Sequence, residues 1–268
     1  MNDLDDLDDL TLSLDADRLR SLHVPGDPLV LVNAWDVASA REVVAAGGSA
    51  IGTSSAAISA SLGEQDDNTM ALSLAFGAIE RIAAAVPVPV TADLEAGYDL
   101  GGTELVSALL AAGAVGCNLE DTDHRRAGAL VDAEVMAARL TAVRAAAREA
   151  GVDVVVNARI DALIHLGGDR PAALAEIVRR ARRYVEAGAD CVFPIGVSDP
   201  ATAEQLVREL AVPVNVGLAA GVTVAQMAAA GASRISVGPT YQRRAMAELR
   251  QRASELLAGA GPSDGAPG

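Results

Sequence analysis

Ala112-Gly-Ala-Val-Gly-Cys-Asn-Leu-Glu120-Asp121 contains one full beat of the rhythm that organises this chain. A helix-like segment ends at Ala112-Gly113, an apolar run is under way by Val115, and it stops on two acids. Glycine suits such a stop because it takes the left-handed C-cap conformation without a Cβ penalty. The same Ala-Gly punctuation returns at Ala46-Gly47, Ala150-Gly151, Ala187-Gly188 and Ala230-Gly231, each time just before another apolar run.

Working outward, strand-like runs are expected at Leu29–Asn33, Ala50–Ser54, Val88–Asp93, Val115–Glu120, Val154–Arg159, Cys191–Ile195, Val214–Val216 and Ile235–Val237. Segments with apolar spacing of three and four, such as Ala133–Ala150 and Pro171–Ala187, fill the gaps as helices. Eight strand–helix units predict an α/β fold, a (β/α)8 TIM barrel of parallel strands spanning residues 15–257. A doubly wound open sheet is the alternative, but the first strand ends Asn33-Ala-Trp35-Asp36 rather than in a Gly-rich turn. Residues 1–14 form an expected flexible acidic tail, Asp15–Leu22 a short helix over the barrel bottom, and residues 258–268 a second flexible tail.

Composition narrows the function. The chain has 268 residues and is 51% apolar but only 2% aromatic, so a large core of Ala, Val, Leu and Ile is available. No apolar run approaches the ~20 residues that span a bilayer, and the acidic start is the opposite of a secretory leader. A cytoplasmic enzyme that touches no membrane is expected. The net charge of −15 argues against a nucleic-acid partner. Cys117 and Cys191 lie in strand-like runs and read as packing residues rather than nucleophiles. All 21 basic residues are arginine. Without lysine there is no Schiff-base aldolase, no pyridoxal-phosphate enzyme and no Walker-type phosphate loop.

Barrel sites form where strands end. There, Thr91-Ala-Asp93-Leu-Glu95, Asn118-Leu-Glu120-Asp121 and Asn157-Ala-Arg159-Ile-Asp161 place polar residues at every second position. In a strand this spacing puts Asp93 with Glu95, Asn118 with Glu120 and Asn157 with Arg159 on common faces. Asp121, off that parity, would cap the following loop. The loop Gly63-Glu-Gln-Asp66-Asp67-Asn68 adds acids, and the small run Thr53-Ser54-Ser55-Ala56 would let backbone N–H groups approach a carboxylate. Converging carboxylates repel one another unless a cation relieves them. Oxygen donors without histidine suit Mg²⁺, with Mn²⁺ possible, better than Zn²⁺. Arg159 would hold a small carboxylate-bearing substrate beside the cation. Of the three histidines only His124 is close enough in sequence to the acids for a catalytic role; His165 follows strand 5 outside the metal set. A phosphate-binding barrel using Gly217–Gly221 and Gly238-Pro239 is a weaker alternative, since Pro239 lacks a backbone donor.

From about Leu29 to Leu249 these motifs resemble the isocitrate lyase/phosphoenolpyruvate mutase superfamily. The matching pieces are Asn33-Ala-Trp-Asp36, Thr53-Ser-Ser55, Ile58–Gly63 with Asp66, Thr91–Tyr98, Gly116–Asp121 and Asn157–Ala162. The resemblance implies that Asp93 contacts Mg²⁺ directly, while Asp66, Glu95 and Glu120 reach it largely through water. It implies that the backbone around Ser54, Ser55 and Ala56, with Asn118 and Arg159, holds a 2-oxo acid or its enolate. It further implies a last helix exchanged between subunits of a homodimer or homotetramer. The lid departs from the pattern: Asp121-Thr-Asp-His-Arg-Arg126 stands where lyases of the family carry a Lys-Lys-Cys-Gly-His type segment and where mutases carry lysine and asparagine. With Asp66, Glu120, Arg159 and His124 as catalytic candidates, the expected activity is a Mg²⁺-dependent carbon–carbon lyase on a small 2-hydroxy di- or tricarboxylate. The alternatives are P–C bond chemistry, 2-oxo acid decarboxylation, or a non-catalytic 2-oxo acid binding protein.

Overall fold

The computed structural model describes residues 3–126 and 129–259. Eight parallel strands appear at the eight expected places: β1 Leu29–Leu31, β2 Ile51–Gly52, β3 Val90–Asp93, β4 Gly116–Glu120, β5 Val155–Ile160, β6 Cys191–Pro194, β7 Asn215–Val216 and β8 Arg234–Ser236. Helices separate them: α1 Asp3–Ser21, α2 Val37–Ala45, α3 Ser55–Leu62, α4 Leu72–Ala83, α5 Gly102–Ala111, α6 Ala133–Glu149, α7 Ala162–Leu166, α8 Arg170–Glu186, α9 Pro200–Leu210, α10 Val224–Ala229 and α11 Thr240–Leu257.

The strands form a five-stranded sheet, β2-β3-β4-β5-β6, and a three-stranded sheet, β1-β8-β7. Single parallel bridges, Ala34 to Thr53 and Val192 to Val214, join the two sheets at both seams. Neighbour order is therefore cyclic, as in a TIM barrel, and the doubly wound alternative is set aside. Asn33 fastens one seam: its Nδ2 donates to Thr53 O at 2.8 Å, and its Oδ1 accepts from the N–H of Val237 and Gly238 at 3.1 and 2.8 Å.

Five helices end at the glycines of the Ala-Gly punctuation. Gly47, Gly113, Gly151, Gly188 and Gly231 all have positive φ, the conformation that favours residues without a Cβ. The core is one cluster of small aliphatics between the strands and the helical layer, from Ala16 and Leu19 of α1 round to Ile235 of β8. Helix begins at Asp3 rather than Asp15, and Ala16 and Leu19 are buried while Leu10 and Leu14 stay exposed. Of the expected C-terminal tail, residues 260–268 lie outside the described residues. Among the described residues no helix is long and apolar enough to cross a membrane.

Candidate active site at the strand ends

The end of β4 and the end of β5 form the floor of the site. In the β4–β5 ladder Asn118 is opposite Asn157, and Glu120 is opposite Arg159. The lower pair is a polar layer inside the barrel: Asn118 Oδ1 accepts from Asn157 Nδ2 at 2.8 Å and from Arg234 Nη2 at 3.1 Å. Asn118 Oδ1 is thus occupied below the mouth. The upper pair reaches the cavity, with Arg159 Nη1 2.6 Å from Glu120 Oε2.

A cavity of about 190 Å³ is lined by Asp66, Glu95, Glu120, Thr122, His124, Arg159, Asp161, Ile164 and His165. A larger one of about 400 Å³ adjoins it, sharing Glu120, Thr122 and His124 and adding Arg125, Arg126 and Arg139. Four of the residues singled out in the sequence, Asp66, Glu120, His124 and Arg159, therefore meet around one hollow, joined by Glu95.

Glu95 arrives by a route that strand parity did not describe. β3 stops at Asp93, and Glu95, Tyr98 and Asp99 take positive φ of 51°, 54° and 59°. Non-glycine residues in that region are costly and persist only when their surroundings hold them. Here Glu95 accepts a short bond from the Asn68 N–H, Asn68 Oδ1 accepts from Tyr98 N at 2.8 Å, and Glu95 O accepts from Glu120 N at 2.9 Å. The coiled loop, not the pleat, turns Glu95 into the cavity.

Most donors of the run Thr53–Ala56 are engaged within the protein. Two of them serve Asp93: Ser55 N and Oγ donate to Asp93 Oδ2 at 3.3 and 3.0 Å, while Thr53 Oγ1 accepts from Asp93 N at 2.9 Å. The amides of Thr53 and Ser54 are spent on Thr91 O and Ala34 O, and Ser54 Oγ caps α3. Asp121 is no loop cap. It is fully buried, taking Asp161 N at 2.9 Å, Arg180 Nη1 at 3.0 Å and the Tyr184 hydroxyl at 2.7 Å. At the ends of β7 and β8, Gly217 N and Gly238 N are committed to Val197 O and Asn33 Oδ1, which takes two donors from the phosphate-binding alternative.

Sequence reasoning missed three polar residues of the cavity, and Ile164 with them. Asp161 grips Arg159 by two bonds, Nε to Oδ1 at 2.7 Å and Nη2 to Oδ2 at 3.0 Å. Thr122 Oγ1 lies 2.6 Å from Asp161 Oδ2 and 3.0 Å from His165 Nε2. The parity that selected Arg159 extends to Asp161 and was the available signal; nothing in the sequence pointed to His165.

Electrostatics mark the cavity as dry and crowded with acid. Burial pushes Glu95 up to about 7, and burial is the leading cause of the upward shifts of Asp66 and Glu120. His124 is raised chiefly by its hydrogen bond to Glu120, with Nε2 2.5 Å from Oε1. Burial would lower Arg159, but Glu120, Asp161 and Asp93 outweigh it and keep the guanidinium charged.

Among the described residues, no three acidic, histidine or cysteine side chains are gathered closely enough to form a metal cluster as they stand. Three of the four candidate acids, Asp66, Glu95 and Glu120, instead line the hollow, and Asp93 is held by Ser55, each acid turned toward a protein donor. Two of their oxygens have none: Asp93 Oδ1 and Glu95 Oε1 are buried without a hydrogen-bond partner. A buried carboxylate oxygen lacking a donor is costly, and a hard divalent cation with water around it is the kind of partner that would satisfy both.

The phosphoenolpyruvate phosphomutase family model matches residues 19–257. An uncharacterized protein of Mycobacterium tuberculosis is 34% identical over 219 residues, 81% of this chain and 80% of that one. The 2-methylisocitrate lyase of Escherichia coli K12 is 30% identical over 214 residues, 72% of this chain and 70% of its own. A structure of oxaloacetate acetylhydrolase in complex with the product oxalate superposes with a TM-score of 0.83 at 26% identity, covering 96% of this chain and 90% of that one. With the family model spanning nearly all of the barrel, this chain belongs to the isocitrate lyase/phosphoenolpyruvate mutase superfamily.

Proposed function

We propose that this chain is a Mg²⁺-dependent carbon–carbon lyase that splits a small 2-hydroxy di- or tricarboxylate and releases a 2-oxo acid. The observation that carries this reading is the pairing, at one mouth, of a charged Arg159 with buried, donorless oxygens on Asp93 and Glu95. An anion receptor and a cation receptor side by side suit a substrate that chelates metal through a carboxylate and its neighbouring oxygen.

Asp93, Glu95, Glu120 and Asp66 would hold the cation, and Mn²⁺ suits the same donors. When bound, it supplies Lewis-acid stabilisation of charge developing on the substrate oxygens, worth several kcal/mol in such sites. Arg159 spends three of a guanidinium's five N–H groups on Asp161 and Glu120, leaving two to orient a carboxylate. Burial raises Glu95 to about 7 without the cation, and the hydroxyl proton would pass to one of the carboxylates lining the cavity. As the C–C bond breaks, the leaving fragment departs as an enolate and needs a proton. His124 holds one at Nε2 against Glu120 Oε1, inside the same cavity.

The named relatives support this reading, one called a 2-methylisocitrate lyase and one an oxaloacetate-cleaving enzyme. P–C bond chemistry on a phosphonate is the second reading, favoured by Arg125, Arg126 and Arg139 lining the adjoining cavity. We also propose that α11 packs on a second copy in a homodimer or homotetramer. Only Gln242 of this helix is buried, whereas Leu249 and Leu257 are 62% and 87% exposed.

The test is release of pyruvate or glyoxylate from a panel of hydroxy acids and phosphonopyruvate, with and without Mg²⁺. Metal-dependent release from a hydroxy acid is expected, and Asp93→Ala should abolish it with the fold intact. Turnover of phosphonopyruvate alone would move the assignment to phosphonates. Metal-dependent thermal stabilisation by an oxo acid, with no product from any substrate, would make the chain a binding protein.

A further inference from the structure

Thr122 carries one hydroxyl proton and stands between two partners. Its Oγ1 is 2.6 Å from Asp161 Oδ2 and 3.0 Å from His165 Nε2. Asp161 is already gripped at both oxygens by Arg159, so it is a carboxylate and can only accept. The Thr122 proton therefore points at Asp161, and the Thr122 oxygen must accept. Its donor can only be the Nε2–H of His165. Donor counting thus fixes the direction of the chain: His165 N–H to Thr122, Thr122 O–H to Asp161, and Asp161 as double acceptor for Arg159.

The chain hangs from a rigid support. The Asp161 N–H donates to Asp121 Oδ1 at 2.9 Å, and Asp121 is locked by Arg180 and Tyr184. With its backbone held, Asp161 has only its carboxylate orientation left to set. A planar guanidinium held along its Nε–Nη2 edge has its plane fixed by that carboxylate. His165, half-buried on α7 and lining the same cavity, stands at the far end of the series.

We propose that His165 is a positioning residue for the anion clamp, acting through Thr122 and Asp161 to aim the free N–H groups of Arg159 at a substrate carboxylate. The proposal rests on the assignment of Arg159 as the carboxylate receptor. His165 touches neither the candidate cation ligands nor Arg159 itself, so its effect is carried entirely by the series.

The experiment has two arms. In ¹⁵N-histidine-labelled protein at pH 8, without metal or ligand, long-range ¹H–¹⁵N correlation reads the tautomer of neutral His165, assigned by its loss in His165→Gln. The Nε2–H form is expected in the wild type, and a mixture of tautomers in Thr122→Val. Calorimetric binding of oxalate in the presence of Mg²⁺ forms the second arm, on variants whose thermal melts show an intact fold. Thr122→Ser keeps the hydroxyl, and His165→Gln keeps an N–H near the same place, so both retain affinity within about twofold. Thr122→Val and His165→Leu each weaken binding by about tenfold, the scale of one charge-assisted bond. The double variant Thr122→Val/His165→Leu is no weaker than either single one, because both cut the same series. An Nδ1–H tautomer in the wild type, or wild-type affinity in both Thr122→Val and His165→Leu, overturns the proposal. If the wild type itself binds no oxalate, the carboxylate-receptor reading of Arg159 fails, and the tautomer alone decides the hydrogen-bonded series.

Discussion

Glu120 and Arg159 face each other across the β4–β5 ladder, and their side chains meet at 2.6 Å inside a cavity where Glu120 is only 4% exposed. Burial alone would push the glutamate up and the arginine down; their attraction opposes both shifts, helped at Glu120 by the His124 hydrogen bond and at Arg159 by Asp161, while Asp161 itself pushes Glu120 further up. The pair ties the carboxylate that would serve the cation to the guanidinium that would serve the substrate. Moving either one alters both halves of the site.

Arg159→Lys tests the fork. Lysine keeps the charge but cannot hold Asp161 along one edge while turning other N–H groups into the cavity. Oxalate affinity in the presence of Mg²⁺ should fall at least about tenfold by calorimetry, with only a modest drop in melting temperature. Unchanged affinity would mean that Arg159 serves only to neutralise Glu120 and Asp161.

Asp121 anchors the site from below, and its removal should register in stability. Asp121→Leu removes one of Arg180's two carboxylate partners, leaving Glu176, and strips the acceptor from the Tyr184 hydroxyl and the Asp161 N–H, so it should cost about 3–5 kcal/mol. Tyr184→Phe deletes one bond to the same carboxylate and should cost about 1–2 kcal/mol. Urea denaturation measures both. Equal, small losses would mean that the loop after β4 does not depend on this anchor.

Much of the fold is written in local signals, and the site less completely. Ala-Gly stops and apolar runs located all eight strands, because a glycine C-cap and a buried parallel strand each leave a mark within a few residues. Parity found Glu120 and Arg159 because β4 and β5 remain regular up to them. It gave the wrong reason for Glu95, since a strand pattern cannot announce three left-handed residues beyond the strand end. It did not show that Thr53 and Ser55 hold Asp93, because small polar residues look alike whether they greet a ligand or a neighbouring side chain. Asp121, Asp161 and His165 owe their places to partners 39 to 63 residues away in sequence. Contacts of that reach are set by barrel closure and have no local signature.

The two cysteines should be silent toward thiol reagents in the folded protein. Cys117 and Cys191 are both 0% exposed, and burial pushes each thiol up to about 12, leaving almost no thiolate near neutral pH. Ellman's reagent should titrate neither in native buffer and both in guanidinium chloride. Rapid native labelling of either would refute their role as packing residues and reopen cysteine as the proton donor in place of His124.

His23 should give the barrel a measurable acid sensitivity. Its Nδ1 contacts Leu19 O at 2.9 Å, while its Nε2 is buried without a partner. Burial first, and then the positive charge of Arg234, lower its pKa from 6.5 to about 4. The folded state therefore keeps this imidazole neutral where the unfolded chain protonates it. Stability is undiminished above pH 6.5, falls as pH drops toward 4, and loses nothing further from this group below that. The full loss is about 3 kcal/mol, of which about 2 kcal/mol should appear between pH 7 and pH 5. Urea denaturation of the wild type and His23→Gln at those two pH values isolates the effect, because the acidic groups titrate alike in both proteins. The variant should lose about 2 kcal/mol less than the wild type over that interval. Parallel losses would show that His23 takes up its proton in the folded barrel as readily as in the unfolded chain.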